Sequence, residues 1–245
     1  MIVDRGRKMK RMDHGAVAVS GVSELPDMGL ASKISAVAQP GADSAYARYG
    51  KRLCDIVFVL LGLPIVLPIV LLFAAALWIE GGQPFYRQKR LGRGGRVFKI
   101  LKLRTMVRDA DAALEAHLKA DAALRKEWDE AQKLKQDPRV TRVGHMLRAA
   151  SLDELPQLWN VLVGEMSLVG PRPMMVQQLA LYGPTDNYYA LRPGITGLWQ
   201  VGERNETTFA ARAKFDATYR ADLSLEADLK IILRTFPVVL QQTGY

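Results

Sequence analysis

Residues 56–79 read IVFVLLGLPIVLPIVLLFAAALWI, a run of 24 without a charge, closed by Asp55 and Glu80. A straight helix of that length reaches about 36 Å, enough to cross a hydrocarbon core of ~30 Å. The run starts too far along the chain for a cleavable signal peptide. A buried core helix is usually shorter and more mixed in polarity, so residence in a membrane is expected. Pro64 and Pro68 complicate a crossing. They lie four residues apart on one helical face. Neither has an N–H for the carbonyl one turn back, so a kink is expected. Pro68 divides the run into two stretches of about 12 residues, each roughly 18 Å long and too short to span alone. Lys51 and Arg52 precede the run, and Arg87, Lys89, Arg90, Arg93 and Arg96 come after it. Basic flanks stay in the cytoplasm. A re-entrant hairpin with both ends cytoplasmic satisfies that rule, whereas a crossing helix leaves one basic flank outside.

The whole chain is basic, with 34 Lys+Arg against 25 Asp+Glu and a formal net charge of +9. Its partners should carry the opposite sign: nucleic acid, an anionic membrane surface or phosphorylated small molecules. Cys54 is the single cysteine, which excludes a disulfide framework and a multi-Cys zinc site. The histidines at 14, 117 and 145 leave little for a His-rich metal centre. Residues 1–47 lack sustained periodicity and read as a disordered tail with a basic start.

Beyond the apolar run, residues 83–106 carry PFYRQ and RVFKILKL, two short strands joined through Gly92, Gly94 and Gly95. A glycine-rich loop can cradle phosphate, but a plain hairpin explains it as well. Residues 109–135 show a broken helical stripe of Leu114, Leu118, Leu124, Trp128 and Leu134, stopped by Asp137-Pro138. His117 lies there without a second ligand at useful spacing. A short helix is expected to end near Arg148, and another to start between Ser151 and Pro156. Ser151 with Glu154 matches a capping box, while Pro156 fits a cap at Asp153. Either choice puts Asp153 and Glu154 at the positive end of a helix dipole. An irregular turn at 167–173, a helix over 174–182 and a Pro/Gly-punctuated segment at 191–200 come next. Residues 208–240 are helical in pattern, with an apolar face that suits either the core or an interface.

Adjacent carboxylates at a helix start, with Arg148, Arg172, Lys102, Arg104 and Arg192 in turn-rich segments, suit a diphosphate. Arginine binds phosphate bidentately. Mg²⁺ takes one or two carboxylates together with substrate oxygens and water. A carboxylate in such a place could hold the metal or attack phosphorus. An ordinary charged helix cap is the plain alternative for Asp153 and Glu154.

Four segments resemble the bacterial sugar transferases, the monotopic polyprenyl-phosphate phosphoglycosyl transferases. They are KRLCDIVFVLLGLPIVLPIVLL at 51–72, FKILKLRTM at 98–106, SLDELPQLWNVLVGEMSLVGPRP at 151–173 and RPGITGLWQV at 192–201. They occur in the family's order, and the likeness covers all but the tail. The closing pattern, with GERNETTF at 202–209, is most similar to exopolysaccharide-initiating members that transfer galactose- or glucose-1-phosphate. Two departures stand out. Leu67 precedes the helix-breaking proline where the family often has Ser, and Val201 is followed by Gly202-Glu203-Arg204 where a small residue, Gly and Arg are usual.

The resemblance implies a predominantly helical, mixed α/β monotopic membrane protein. Residues 48–80 would form a re-entrant membrane helix broken at Pro68, with Pro64 upstream. Residues 81–245 would form a cytoplasmic catalytic domain with a basic β-hairpin and amphipathic interfacial helices. Asp153 would be the nucleophile and a Mg²⁺ ligand, and Glu154 its partner. Arg148 and Arg172 would bind phosphate, while Lys102, Arg104 and Arg192 occupy family motifs. The implied partners are a UDP-sugar, undecaprenyl phosphate and membrane lipid at the cytoplasmic face of the bacterial inner membrane. A homodimer is compatible with this. A membrane-anchored module binding nucleic acid or lipid would have no use for carboxylates beside arginines in four segments, so nucleic acid is not expected as a partner. A spanning glycosyltransferase that moves the sugar alone would release UDP, whereas the implied reaction releases UMP.

Overall fold

A computed structural model describes residues 44–131, 134, 137–202 and 208–240. The expected tail lies outside them except for residues 44–47, and these are ordered into the fold. A π-helical turn, Tyr46–Gly50, leads directly into α1, Lys51–Gly81. Tyr46 and Ala47 pack against a core of Val169, Leu191, Tyr219, Leu223 and Ile231, which moves the tail boundary back from residue 47.

α1 is one continuous helix of 31 residues with Pro64 and Pro68 inside it, so the break expected at Pro68 does not interrupt the helix. Its buried residues fall in two groups: Lys51, Asp55 and Val59 near the start, and Val70, Ala74 and Leu77 near the end. The stretch between, which holds both prolines, contains no buried residue. Val59 packs with Phe98, Ile100, Val161 and Met166, whereas Val70, Ala74 and Leu77 pack with Leu103 and Leu147. Only 11% of the most apolar 18-residue stretch is buried, so this is not a core helix. Leu61 and Ile65 are each 70% exposed, and apolar area left in water costs roughly 25 cal/mol per Å². Gly82, at φ 88°, ends the helix. Arg104 donates to the carbonyls of Gly81 at 3.0 Å and Leu77 at 3.1 Å, satisfying acceptors that the last turn leaves open.

The hairpin forms as expected. β1, Phe85–Leu91, pairs antiparallel with β2, Val97–Leu103, around a 3₁₀ turn at Arg93–Gly95. The register sets Tyr86 opposite Lys102, Gln88 opposite Ile100 and Arg90 opposite Phe98. Strand alternation therefore puts Arg90 and Lys102 on the same face as buried Phe98 and Ile100. The stripe beyond it is two helices, α2 at Ala110–Ala120 and α3 at Ala122–Ala131. Asp121 causes the break, since its side chain accepts from Ala123 N at 2.8 Å and Leu124 N at 3.2 Å. The apolar residues of the two helices join Leu134 in a cluster of their own, with His117 exposed on the outer side.

α4, Arg142–Ala149, is capped by Thr141 Oγ1, which accepts from Gly144 N at 3.0 Å. A side chain at Gly144 would collide with the backbone of Thr105, so glycine lets α4 lie against the end of β2. The segment after α4 departs from the expected caps. Ser151 takes a left-handed conformation, φ 54°, and its side chain caps nothing. Residues Leu152–Glu154 form a single 3₁₀ turn, and Pro156 precedes α5, Gln157–Leu162. Asp153 and Glu154 thus sit a turn ahead of a short helix rather than in its first turn.

β3, Ser167–Val169, pairs in parallel with β4, Gly194–Thr196. The crossover between them carries α6, Leu179–Tyr182, and α7, Asp186–Ala190. The segment at 167–173 is therefore partly strand, and the helix expected over 174–182 shrinks to a 3₁₀ turn plus α6. Asp55 of α1 holds β3 by accepting from Ser167 Oγ at 3.0 Å and Leu168 N at 2.9 Å. α8, Leu198–Val201, α9, Arg212–Ala221, and α10, Leu225–Leu240, complete the fold. On α10, Ile231 is core, while Leu225, Leu229, Leu233 and Phe236 form an exposed stripe, so the last helix serves both readings of its apolar face.

Candidate active site

The tetrad Leu152-Asp153-Glu154-Leu155 explains its own orientation. Leu152 and Leu155, three apart, pack onto the cluster made by Val70, Ala74 and Leu77 of α1 with Leu103 and Leu147. The turn therefore rests on the second half of the apolar helix. Lys102 reaches the acids from β2. Its Nζ lies 2.6 Å from Glu154 Oε1 and 3.6 Å from Asp153 Oδ2. Arg172, between Pro171 and Pro173, puts Nη2 at 3.4 Å from the same Glu154 oxygen. Arg148 donates from Nε to Thr105 Oγ1 at 2.9 Å and stands close enough to Asp153 to favour its ionised form. Left-handed Ser151 lies between Arg148 and Asp153 in the connecting segment.

Burial pushes the Asp153 carboxyl above the usual carboxylate range despite Lys102, and the neighbouring Glu154 adds to the rise. Glu154 goes the other way. Burial opposes its ionisation, but Lys102 and Arg172 overcome that and hold it well below the usual range. The two adjacent carboxylates thus differ in their affinity for a proton. Glu154 is the fixed anion that holds Lys102. Asp153 is the more basic of the two and is lightly held, with Oδ2 3.6 Å from Lys102 Nζ. The surrounding cations exceed the acids, which suits a polyanionic ligand.

The structure brings Lys102, Arg148, Asp153, Glu154 and Arg172 together. It does not bring in Arg104, which closes the end of α1, nor Arg192, whose Nε donates to Gly164 O at 2.9 Å. Pro64 and Pro68 lie in the unburied middle of α1. Arg204 and residues 203–207 lie outside the described residues. Arg90 was hidden in the sequence among the basic flank. Its Nη1 donates to Pro173 O at 3.0 Å and its Nη2 to Gln88 Oε1 at 2.5 Å, beside Arg172 and near Glu154. The period-two alternation that pairs it with Lys102 on one face of the hairpin is the signal that could have found it.

Comparison with known proteins finds relatives over most of the chain. The chain is 47% identical over 199 residues to the UDP-galactose-lipid carrier transferase of Erwinia amylovora, covering 81% of this chain but 42% of that protein. It is 42% identical over 208 residues to the exopolysaccharide production protein ExoY of Sinorhizobium fredii, covering 84% of this chain and 92% of that protein. It is 44% identical over 200 residues to the UDP-glucose:undecaprenyl-phosphate glucose-1-phosphate transferase of Caulobacter vibrioides, covering 78% and 69%. The family model described as bacterial sugar transferase matches residues 46–242, a span that takes in α1, the hairpin and the dyad together. With its apolar helix and its acids on one continuous match, the chain belongs to the bacterial sugar transferase family.

Proposed function

We propose that this chain transfers hexose 1-phosphate, galactose or glucose, from a UDP-sugar to undecaprenyl phosphate, the first step of exopolysaccharide or other surface-glycan synthesis. The observation that carries the reading is the Asp153–Glu154–Lys102–Arg172 constellation resting on the half of α1 beyond Pro68. The names of the Erwinia and Caulobacter relatives support the donor and acceptor. In the first step an Asp153 carboxylate oxygen bonds to the β-phosphorus, and the bridging P–O bond breaks. Its electron pair leaves with UMP. In the second step an oxygen of the lipid phosphate attacks the same phosphorus and returns Asp153 as carboxylate. Lys102 and the arginines stabilise the charge that gathers on the phosphoryl oxygens.

Asp153, with Glu154 beside it, would hold Mg²⁺. The ion needs only one or two carboxylates when phosphate oxygens and water complete its shell, which fits a site where no three His, Cys, Asp or Glu groups gather among the described residues. When bound, the ion supplies neutralisation of diphosphate charge. Excess EDTA should therefore abolish turnover, and the nucleotide released from UDP-sugar should be UMP. Release of UDP, or full activity in EDTA, would refute these points.

α1 is read as re-entrant at the cytoplasmic face of the bacterial inner membrane, which brings the dyad to the depth of the lipid phosphate. Its two buried ends, its unburied middle and the basic flanks support this. Single cysteines near residues 20 and 120, in a Cys54→Ser background, should both resist a membrane-impermeant thiol reagent in intact cells. Labelling of either from outside would break the re-entrant reading.

A further inference from the structure

The charges around the dyad form a series of neighbours. At one end Arg148 faces Asp153. In the middle Glu154 faces Lys102, Arg172 and Arg90. At the other end Arg212, the first residue of α9, faces Arg172 and Arg90. Arg212 is held by stacking. Its guanidinium carbon lies 3.9 Å from the ring centre of Trp199 and 4.1 Å from that of Phe209. The Nε atoms of Arg90 and Arg212 are both buried and lack a hydrogen-bond partner among the described residues.

This grouping is costly for an empty protein. Glu154 already serves Lys102 and Arg172, and Asp216, the acid nearest Arg212, already accepts from Tyr182 OH. Burial, and then the proximity of Arg172, lowers both Arg90 and Arg212 to about 10. Three guanidiniums drawn together with too few carboxylates form a receptor for an anion. Aromatic stacking fixes the plane of one of them, which helps a fork of donors meet a phosphate.

We infer that Arg90 and Arg212, beside Arg172, seat the phosphate of the departing nucleotide, while Arg148 and Lys102 serve the phosphate that Asp153 attacks. The assignment rests on the proposed function, which sets the β-phosphorus at Asp153. The α-phosphate and its nucleoside then lie along the remaining cations. Arg90 and Arg212 thereby act on the donor half of the reaction and not on the lipid half.

The test uses the full chain in detergent and the variants Arg90→Gln, Arg212→Gln and Arg212→Lys. In a ping-pong scheme, kcat/KM for the donor reports only the first half-reaction and kcat/KM for the acceptor only the second. Both Gln variants should lower kcat/KM for the UDP-sugar by ~10-fold or more and leave that for undecaprenyl phosphate within about twofold. Arg212→Lys, which keeps the charge, should fall between wild type and Arg212→Gln. Equilibrium binding of UMP should weaken by a similar factor in both Gln variants, whereas uridine without phosphate should bind all forms alike. A variant that merely misfolds would depress both half-reactions together. Equal UMP binding by wild type and both Gln variants, or a parallel fall in both half-reactions of a variant that melts like wild type, would overturn the assignment. The UMP binding comparison stands whichever nucleotide turnover releases. Failure of the function reading would be seen in the identity of that nucleotide.

Discussion

Asp228 and Asp153 are both buried aspartates beside a lysine, and they are finished differently. Asp228 Oδ2 accepts from Lys51 Nζ at 2.7 Å and Tyr46 OH at 2.6 Å, and Oδ1 accepts from Tyr219 OH at 2.6 Å. One ammonium answers one carboxylate, and the two hydroxyls complete the acceptors. That cluster fastens the start of α1 to α10. At Asp153 the lysine is spent mainly on Glu154, at 2.6 Å against 3.6 Å, and arginines add further positive charge. A closed cluster has nothing left to bind. An open one, with a lightly held carboxylate and surplus cations, has room for an anion.

Breaking the closed cluster should harm folding and spare chemistry. Asp228→Ala leaves Lys51 buried without its counter-charge, a loss of ~3–5 kcal/mol. Denaturant unfolding should report it, while turnover per folded molecule stays near wild type. A stability change under ~1 kcal/mol would mean that the latch is not one.

Asp216 lies between the two cases, bonded by Tyr182 OH yet close to Arg212. Burial lifts its carboxyl from 3.8 to about 6, equivalent to about 3 kcal/mol of linkage. The folded state therefore favours the protonated acid. Its contribution is complete below about pH 4 and is lost as pH rises through about 6. The difference between the melting profiles of wild type and Asp216→Asn over that window should expose the slope, and identical profiles would contradict it.

On the open cluster, Arg172→Ala and Arg148→Ala should each lower activity by at least ~100-fold, about 2.7 kcal/mol of transition-state stabilisation, with melting little changed. Wild-type rates in both would remove the arginines from the chemistry. The smallest effect belongs to Arg104→Ala, which frees two carbonyls at the end of α1. It should cost about 0.5–1.5 kcal/mol of stability and leave turnover per folded molecule near wild type. A hundredfold loss there would restore Arg104 to the site.

Much of this was legible because it is local. The hairpin comes from alternation and three glycines, and the apolar helix from composition. The parts that escaped were assembled from distance. Three-residue β3 and β4 are too short to carry a period, and they meet only because Gly170 and Gly194 let two backbones touch. Tyr46, Lys51, Tyr219 and Asp228 are unremarkable singly and become a latch when α10 folds back to α1. Arg212 looks like any surface arginine until Trp199 and Phe209 close on it. The capping-box reading failed for a different reason: Ser151 is needed in a left-handed turn, which removes its side chain from the cap.

The most direct measurement gives the enzyme UDP-sugar and no lipid acceptor. A nucleophilic aspartate makes a mixed anhydride, so wild type should release UMP and gain a sugar-phosphate mass on the peptide that contains Asp153. Folded Asp153→Asn, with an amide in place of the carboxylate, should do neither. An adduct on another peptide, or undiminished UMP release by the variant, would contradict the assignment of Asp153 as the nucleophile.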